Sequence, residues 1–579
     1  MRNSLRYLLA CLGLLPLVRL GVRRFNAAWH EHQAQLSRAY SDFLGQHDAS
    51  LFAIESNTTR GAALLVGYDN PKLVLLQVPV VLALRLAGFR VVVLAPYATG
   101  STAQFYLKLG ADEVIGIEDI ERPVSRRTVG RLLNEVATQD QLVAITYQGV
   151  PCGKFIASTA MRRSRQGNID PTNSKMAGLL REATEASVRA IDVARRIVGQ
   201  MRPSLVFFYD RGYTPDGELF EVALANGAHA VTLNGAHRSG LIMCKRYGPD
   251  NRDRHFAAPS VAVWDRLCEM PWSETNWQTL RNEIEQSYRS GTWYDEVGTQ
   301  FNKKISSRED TFTSLGLDPN KKVAVIFPHL FWDATFFWGE DLFADYKDWF
   351  CQAIKAAAAN DRLNWIIKIH PAGLVKDARD GYRGESSELI AIRETLGILP
   401  AHIKLIPVDS PISTFSLFDV MDYCLTVRGT IGVEAAAFGA AVLTAGTGRY
   451  DGYGFTIDAG SREEYLAKLA KLEEVSRPAP KQIELARRYA YGLFLLRPLK
   501  LDSVKFHYRR DQSASLQIVL GLRGAQQLTS SPDLKALASW LAGSDEDLVG
   551  RTLSADERGS VATGFRAMRS GQASRVEQG

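Results

Sequence analysis

The sequence predicts an α/β protein made of two doubly wound, Rossmann-like units facing a cleft, with a helical linker between them and helices at the C-terminus. Three observations predict this. At 579 residues the chain is too long for one ordinary core. Short apolar runs, rich in β-branched residues, alternate with helix-length stretches, the pattern of a parallel sheet covered by helices on both faces. The alternation runs twice, with a polar, tryptophan-bearing stretch between the two rounds.

Ala27 to Gly45 reads as helix, and Leu51 to Val78 holds two strand-like runs, LFAIE and ALLVGY. Val80 to Ala87 looks helical up to Gly88, and RVVVLA (Arg90 to Ala95) is a buried strand. Helix from Thr102 to Leu109 and the run EVIGI repeat the alternation. Leu142 to Tyr147 reads as strand, Lys175 to Met201 as a long helix, Leu205 to Tyr209 as strand, Glu218 to Asn226 as helix and Ala230 to Leu233 as strand. Trp264 to Phe312 is helical and polar, and carries Trp272, Trp277 and Trp293. The second round places strands at Val323 to Phe327, Trp365 to Ile369, Ile403 to Ile406, Tyr423 to Val427 and Ala441 to Thr444. Helices alternate with them at Tyr346 to Ala359, Ser387 to Leu396, Ser413 to Met421 and Gly432 to Phe438, and two more follow at Arg462 to Val475 and Gln482 to Leu496. The chain divides accordingly into residues 1–50 (an N-terminal helical segment), 51–260 (the first unit), 261–318 (the linker), 319–476 (the second unit), 477–553 (C-terminal helices) and 554–579. That last stretch, rich in Ser, Gly, Arg and Ala, is expected to be disordered.

Apolar residues make up 46% and charged residues 23%, ordinary globular values, and the net charge of +6 is small for this length. No concentrated basic face marks a nucleic-acid binder. The six cysteines, Cys11, Cys152, Cys244, Cys268, Cys351 and Cys424, show neither a CxxC pair nor metal-ligand spacing, so no metal is expected and a cytoplasmic location is. At the N-terminus an apolar run from Leu8 to Leu17 lies between Arg2 and Arg6 on one side and Arg19, Arg23 and Arg24 on the other. A span needs about 20 apolar residues, and Pro16 and Arg19 interrupt this one. No small-x-small cleavage site follows it. Two readings stay open: a peripheral helix resting on the inner face of the plasma membrane, or a helix packed on the protein's own surface.

Ligands of open α/β sheets bind beyond the carboxyl ends of the strands, so candidate residues are sought there. In TVRGTIGVEAAAFG a strand runs through Arg428, Gly429, Thr430 and Gly432 into a helix with Glu434 near its start. Uncapped N–H groups and the positive helix end suit phosphate, the glycines permit close approach, Arg428 offers a guanidinium, and Glu434 an acceptor for a sugar hydroxyl. IIKIHPAG ends a strand at His370–Pro371, placing His370 toward the cleft with Lys368 adding charge. His329 and Asp333 follow the first strand of the second unit. The aromatic residues after them read as packing, with Trp332 or Trp338 as a pyranose platform if exposed. In FFYDRGYTPDGELFEVA, Asp210, Asp216, Glu218 and Glu221 are candidates for the base that takes a proton from an acceptor hydroxyl, although Asp216 also suits an N-cap and the glutamates a first helical turn. His237, Arg238, Lys245, Arg246 and Arg252 form a basic cluster that reads as a solvated loop or as a receiver of an anionic acceptor. P-loop, G-x-S-x-G and HExxH signatures are all missing from the sequence.

Three blocks resemble the capsule polysaccharide biosynthesis proteins, a group of GT-B-type glycosyltransferases: LFWDATFFWGEDLFADYKDWF, IIKIHPAG, and the stretch from PISTFSLFDVMDYCLTVRGTIG to RYDGYGFTIDAGSREEYL. The resemblance covers about Leu51 to Leu499 and is strong from Val323 to Leu469. It implies a GT-B-like fold, an acceptor held by the first unit and a nucleotide-sugar donor held by the second. By position, His370, Arg428, Thr430, Gly432 and Glu434 become donor-site residues, with Tyr450 and Gly454 lining the same mouth. Two departures, Ala372–Gly373 where the family carries an acid after its HP pair, and Arg428 before the Gly-rich loop, bear on the identity of the donor. The expectation is an inverting, metal-independent transfer from a nucleotide-sugar to a growing capsular polysaccharide or lipid-linked glycan, with no cofactor beyond the substrate. Its rivals are a teichoic-acid-type CDP-polyol phosphotransferase, a non-catalytic polysaccharide-assembly protein and, more remotely, a nucleotide-sugar epimerase.

Overall fold

The computed structural model describes residues 18, 21–23, 25–53, 59–295, 300, 302–333, 335–508 and 516–552. The apolar run Leu8 to Leu17 and residues 554–579 lie outside them, so the expectations for both stay where the sequence left them. Among the described residues no helix is long and apolar enough to cross a membrane.

Two sheets organise the chain. The first contains β1 (Ala62–Val66), β2 (Arg90–Ala95), β3 (Glu113–Gly116), β4 (Leu205–Phe208), β5 (His229–Gly235) and β6 (Leu241–Tyr247). The second contains β7 (Val323–Ile326), β8 (Asn364–Lys368), β9 (Ile403–Ile406), β10 (Tyr423–Thr426), β11 (Ala441–Thr444) and β12 (Ile457–Asp458). A late strand, β13 (Leu499–Lys500), returns to the first sheet, and β14 (Val504–Tyr508) pairs with β15 (Leu516–Leu520) apart from both. The orders are β13-β6-β5-β4-β1-β2-β3 and β12-β11-β10-β7-β8-β9. The second sheet is parallel throughout, and in the first only β6 and β13 run antiparallel to their neighbours. Each sheet therefore winds outward over three strands, returns to its first strand and winds the other way, the 3-2-1-4-5-6 order of a dinucleotide-binding fold. This is the two-Rossmann, GT-B-like arrangement that the sequence predicts.

Side-chain alternation explains the layering. In β1 and β2, Leu64, Val66, Val92 and Leu94 enter one core while Ala63, Leu65, Val91 and Val93 enter the other. Both faces are covered, which is why these strands read as continuous apolar runs. The second sheet repeats this, with Val323, Val325 and Cys424 on one side and Ala324, Ile326 and Leu425 on the other. The helix Ala27–Gly45 lays Leu36, Tyr40 and Phe43 into the first sheet's outer core.

Several local expectations are corrected. Leu142 to Tyr147 is not a strand: a capping box of Thr138 and Gln141 starts a helix at Gln139–Val143. A short apolar run does not distinguish a buried strand from a buried helical turn. Of LFAIE, Leu51 closes a 3₁₀ turn (Ala49–Leu51) and residues 54–58 lie outside the described set. The segment expected to hold only helices after residue 477 also contains β13, β14 and β15. Trp332 and Trp338 are buried, not platforms: with Leu330 and Phe337 they enter the first unit's core. Arg165 stacks 3.7 Å from the Trp332 ring and is paired with Asp380. Gly212 is needed where Phe337 crosses, because a Cβ there would lie 1.9 Å from that ring.

The basic cluster is not a solvated loop either. Lys245 and Arg246 lie buried in β6, and His237 shares Glu283 with Arg238. Lys245 meets Asp547 at 3.1 Å, and the same carboxylate receives Arg497 at 2.8 Å and the Ser260 N–H at 2.5 Å. Burial alone would raise the Asp547 pKa; Arg497, Lys245 and the Ser260 amide outweigh it and hold the carboxyl below its usual range. This ion triad ties the C-terminal chain to β6. Asp547→Asn would leave the buried Arg497 without a carboxylate, while Lys245 keeps Glu546, and the expected result is a loss of about 3 kcal/mol, read as a lower denaturation midpoint.

Candidate active site

The winding of the second sheet fixes where a ligand can enter. Between β7 and β10 the crossovers leave in opposite directions, and a crevice opens at the carboxyl ends. A cavity of about 200 Å³ lies there. His329 follows β7, Lys368 and His370 end β8, Thr426 ends β10, and Gly429 and Thr430 open the helix Thr430–Ala437. The other wall comes from the linker, through Tyr288, Trp293, Tyr294 and Gln300.

The groups at this crevice are mainly donors. Gly429 has no side chain to cap the helix, so first-turn amides are left uncapped at the cavity. The Arg428 N–H donates to Nε2 of His329 at 3.2 Å, which places the ring proton on Nδ1. The Ala372 N–H donates to Nδ1 of His370 at 3.2 Å, which places that proton on Nε2. Burial keeps both rings neutral: it lowers His329 well below the usual value, helped by Arg428, and His370 to about 4, helped by Lys376. Each histidine thus keeps one N–H to offer. Lys368 is 4% exposed and, among the described residues, has neither an ion pair nor a hydrogen bond. Burial, then the nearby Lys303, brings its pKa down to about 7.

Other predicted donor-site residues serve the loop and not the cavity. The Arg428 guanidinium is turned onto Asp341, the Trp338 carbonyl and the Glu340 carbonyl (3.1 Å). Its role is corrected from ligand contact to holding the 338–341 segment against β10. Arg449, which sequence reasoning passed over, donates to the Arg428 carbonyl at 2.9 Å and to Thr430 Oγ1 at 2.6 Å. Tyr450 does not line the mouth; it is buried in the core and donates to the Gly429 carbonyl at 3.0 Å. Gly432 is required by that tyrosine, since a Cβ there would lie 2.3 Å from its hydroxyl. Glu434 lines the cavity, yet its Oε2 accepts the Tyr288 hydroxyl at 2.6 Å, and burial raises its pKa to about 7. It fastens the helix to the linker.

The proposed bases separate equally clearly. Asp210 and Asp216 lie beyond β4, at the first sheet's own switch point. Asp210 accepts the Arg211 and Gly212 amides at 2.7 and 3.0 Å. Asp216 accepts the hydroxyl of Tyr68, which follows β1, at 2.9 Å; burial raises its pKa to about 7 against that bond. Glu218 is fully buried among helices, accepts Thr214 Oγ1 at 2.7 Å and is out of reach of any acceptor. Glu221 is paired with Lys154 at 2.9 Å and Arg252 at 2.7 Å. The two units meet at Asp333, whose carboxylate takes the Tyr213 hydroxyl at 2.7 Å and the Lys376 ammonium. Burial there is overcome by the lysine's charge, and the pKa falls to about 2. Among the described residues no three His, Cys, Asp or Glu side chains are grouped to hold a metal ion.

No protein-family model and no curated protein matches the chain. Among solved structures it is similar to a β-Kdo 2,4 transferase, KpsC, of Thermosulfurimonas dismutans, at 13% identity over 52% of this chain and 82% of that one, with a TM-score of 0.32. It is also similar to the UDP-GlcNAc 2-epimerase of Neisseria meningitidis bound to UDP-GlcNAc, at 15% identity over 75% and 96%, with a TM-score of 0.25. The S. aureus MnaA–UDP co-structure aligns at 12% identity over 75% and 92%, with a TM-score of 0.27. At these identities and scores the likenesses say nothing of this chain's chemistry.

Two substitutions test the assignments of structural roles. Gly432→Ala should cost roughly 1–3 kcal/mol by overpacking Tyr450, seen as a lowered denaturation midpoint with no ligand present. Glu218→Gln should act through pH. The folded state holds Glu218 at a pKa of about 7 against an ordinary 4.5, so it binds the proton more tightly than the unfolded chain does. Stability contributed by the neutral form is present below 4.5 and lost as pH rises toward 7. Glutamine cannot ionise, so the variant should lack that loss and gain roughly 1–3 kcal/mol on the wild type at pH 8.

Proposed function

We propose that the protein is a glycosyltransferase of a surface-polysaccharide pathway, moving a sugar from a nucleotide-sugar donor to a growing capsular or lipid-linked glycan with inversion and without a metal ion. The observation that carries the reading is the crevice at β7 and β10, where a buried lysine with no counter-charge among the described residues shares one cavity with two neutral histidines and an uncapped helix start. Such a set favours an anion whose charge grows during reaction, which describes a departing nucleotide phosphate.

On this reading the second unit holds the donor and the first unit the acceptor. Asp216 takes the proton of the acceptor hydroxyl, with Tyr68 fixing the orientation of its carboxylate. The hydroxyl oxygen then attacks the anomeric carbon from the face opposite the phosphate, and the old carbon–oxygen bond breaks with its electron pair passing to the phosphate. Lys368, the His329 and His370 N–H groups and the helix start receive that charge, and the wall formed by the linker excludes water. A peripheral membrane contact through residues 1–24 would bring a lipid-linked acceptor to the same face of the pathway; deleting them and fractionating cells examines that part separately.

The full chain incubated with UDP-, GDP-, CMP- and dTDP-sugars should show a thermal shift with at least one class; no shift with any of them would overturn the reading. Product analysis should show glycosidic linkages, whereas phosphorus retained in the product would replace sugar transfer by polyol-phosphate transfer. The kcat/KM profile should be a narrow bell around pH 7. Asp216 must lose its proton, so the rate falls on the acid side; Lys368 must keep its proton, so the rate falls on the alkaline side. Asp216→Asn should lower kcat by about 10²–10⁴-fold.

A further inference from the structure

The linker contributes a residue to the cavity for which the sequence shows no motif. Gln300 is 4% exposed and lines the same cavity as Lys368. Its amide is oriented by a relay of hydrogen bonds. The Phe415 N–H donates to Ser413 Oγ at 3.2 Å, which leaves the serine proton for Oε1 of Gln300, also at 3.2 Å. An amide whose oxygen accepts in this way presents its NH₂ to the other side. Among the described residues that NH₂ has no acceptor.

The surrounding chain is stitched in place. Lys303 donates to the Val408 carbonyl at 2.9 Å and to the Ser410 carbonyl. Lys304 and the 411–413 segment exchange backbone bonds, Lys304 N to the Pro411 carbonyl at 2.7 Å and Ser413 N to the Lys304 carbonyl at 2.9 Å. The Ser306 N–H adds a bond to Ser416 Oγ at 2.9 Å. Gln300 and Lys368 are therefore both nine-tenths buried or more, both donors, and both without an acceptor among the described residues. Leaving such groups unpaired is costly, and an oxyanion satisfies both at once.

We propose that Gln300 and Lys368 together form the receptor for a phosphoryl group of the ligand, a receptor that is complete only when the linker is in place. This rests on the donor-site reading of the cavity and adds a recognition residue to it. The amide supplies two directed N–H groups where the lysine supplies a point charge, so the pair favours a phosphoryl oxygen, which is charged and only accepts, over a hydroxyl, which is neutral and brings a proton that neither group can accept.

The test is titration of the full chain with inorganic pyrophosphate, followed by calorimetry. The wild type should bind. Gln300→Glu, isosteric but anionic, should weaken binding by about tenfold or more, because the carboxylate would compete for Lys368. Gln300→Leu, uncharged and of similar volume, should weaken it by about fivefold with the denaturation midpoint preserved. Ser413→Ala, which frees the amide to turn over, should give a smaller loss of about twofold. Unchanged affinity in both Gln300 variants, with the wild type binding, would overturn the proposal and leave the donor-site reading standing. Failure of the wild type to bind pyrophosphate while a nucleotide-sugar still binds would also overturn it. Failure with both ligands would remove the donor-site reading as well. If Gln300→Leu does not fold, the glutamate variant decides alone.

Discussion

The order in which the parallel strands are laid down constrains everything else in this molecule. Each sheet grows away from its first strand, then returns and grows the other way, so the first and fourth strands lie side by side with their crossovers diverging. Backbone amides from the loops and from a helix start collect there. In the second sheet the junction gathers His329, Thr426, Gly429 and Thr430; in the first it gathers Tyr68, Asp210 and Asp216. One junction is lined mainly by donors and the other by carboxylates, a division that suits the proposed transfer.

The loop beyond β10 keeps its shape through contacts within itself and to the 338–341 segment. Arg428 is held by Asp341 and two carbonyls, Arg449 by the Arg428 carbonyl and Thr430, and Tyr450 by the Gly429 carbonyl. These residues place the helix start without reaching the cavity. Glu434 continues the same logic toward the linker through Tyr288. The linker is thus a wall of the site as well as a connection, and the position of the helix start depends on it.

Much of this was legible in the sequence. The alternation of apolar runs and helical stretches revealed both sheets, because strands buried on two faces leave an unbroken apolar signature. His329, Lys368 and His370 were legible because they end strands, where an open sheet delivers its ligands. The failures have separate physical causes. Leu142 to Tyr147 carried a strand-like composition, and a capping box decided against it. Arg428 and Tyr450 have the chemistry of ligand residues, but which way a side chain turns depends on Asp341 and Gly429, distant in sequence or invisible to pattern. Gly432 looked like a glycine kept for a ligand and is one kept for Tyr450. Glu218 had the helical position of a first-turn acid, and only packing shows that it faces the core. Gln300, Tyr288 and Trp293 carry no motif at all; their place follows from how the linker folds back over the second sheet.

The two cations of the donor side show why one belongs to the structure and the other to the site. A guanidinium does not deprotonate in a protein, so a buried arginine must be paired in the folded state, and Arg428 has Asp341. An ammonium has another way out: burial lowers its pKa until the neutral amine is populated near neutral pH, as it does for Lys368. A lysine can therefore stand at the end of β8 without a permanent counter-ion, at a cost limited by the ease of losing its proton. When an oxyanion arrives, the charged form is favoured again and the lysine takes up the proton as it binds. An arginine in that place could not shed its proton and would need fixed acceptors of the kind that Arg428 and Arg449 have. The choice of lysine is what allows this crevice to remain open without a resident counter-ion, as the proposed binding of an anion requires.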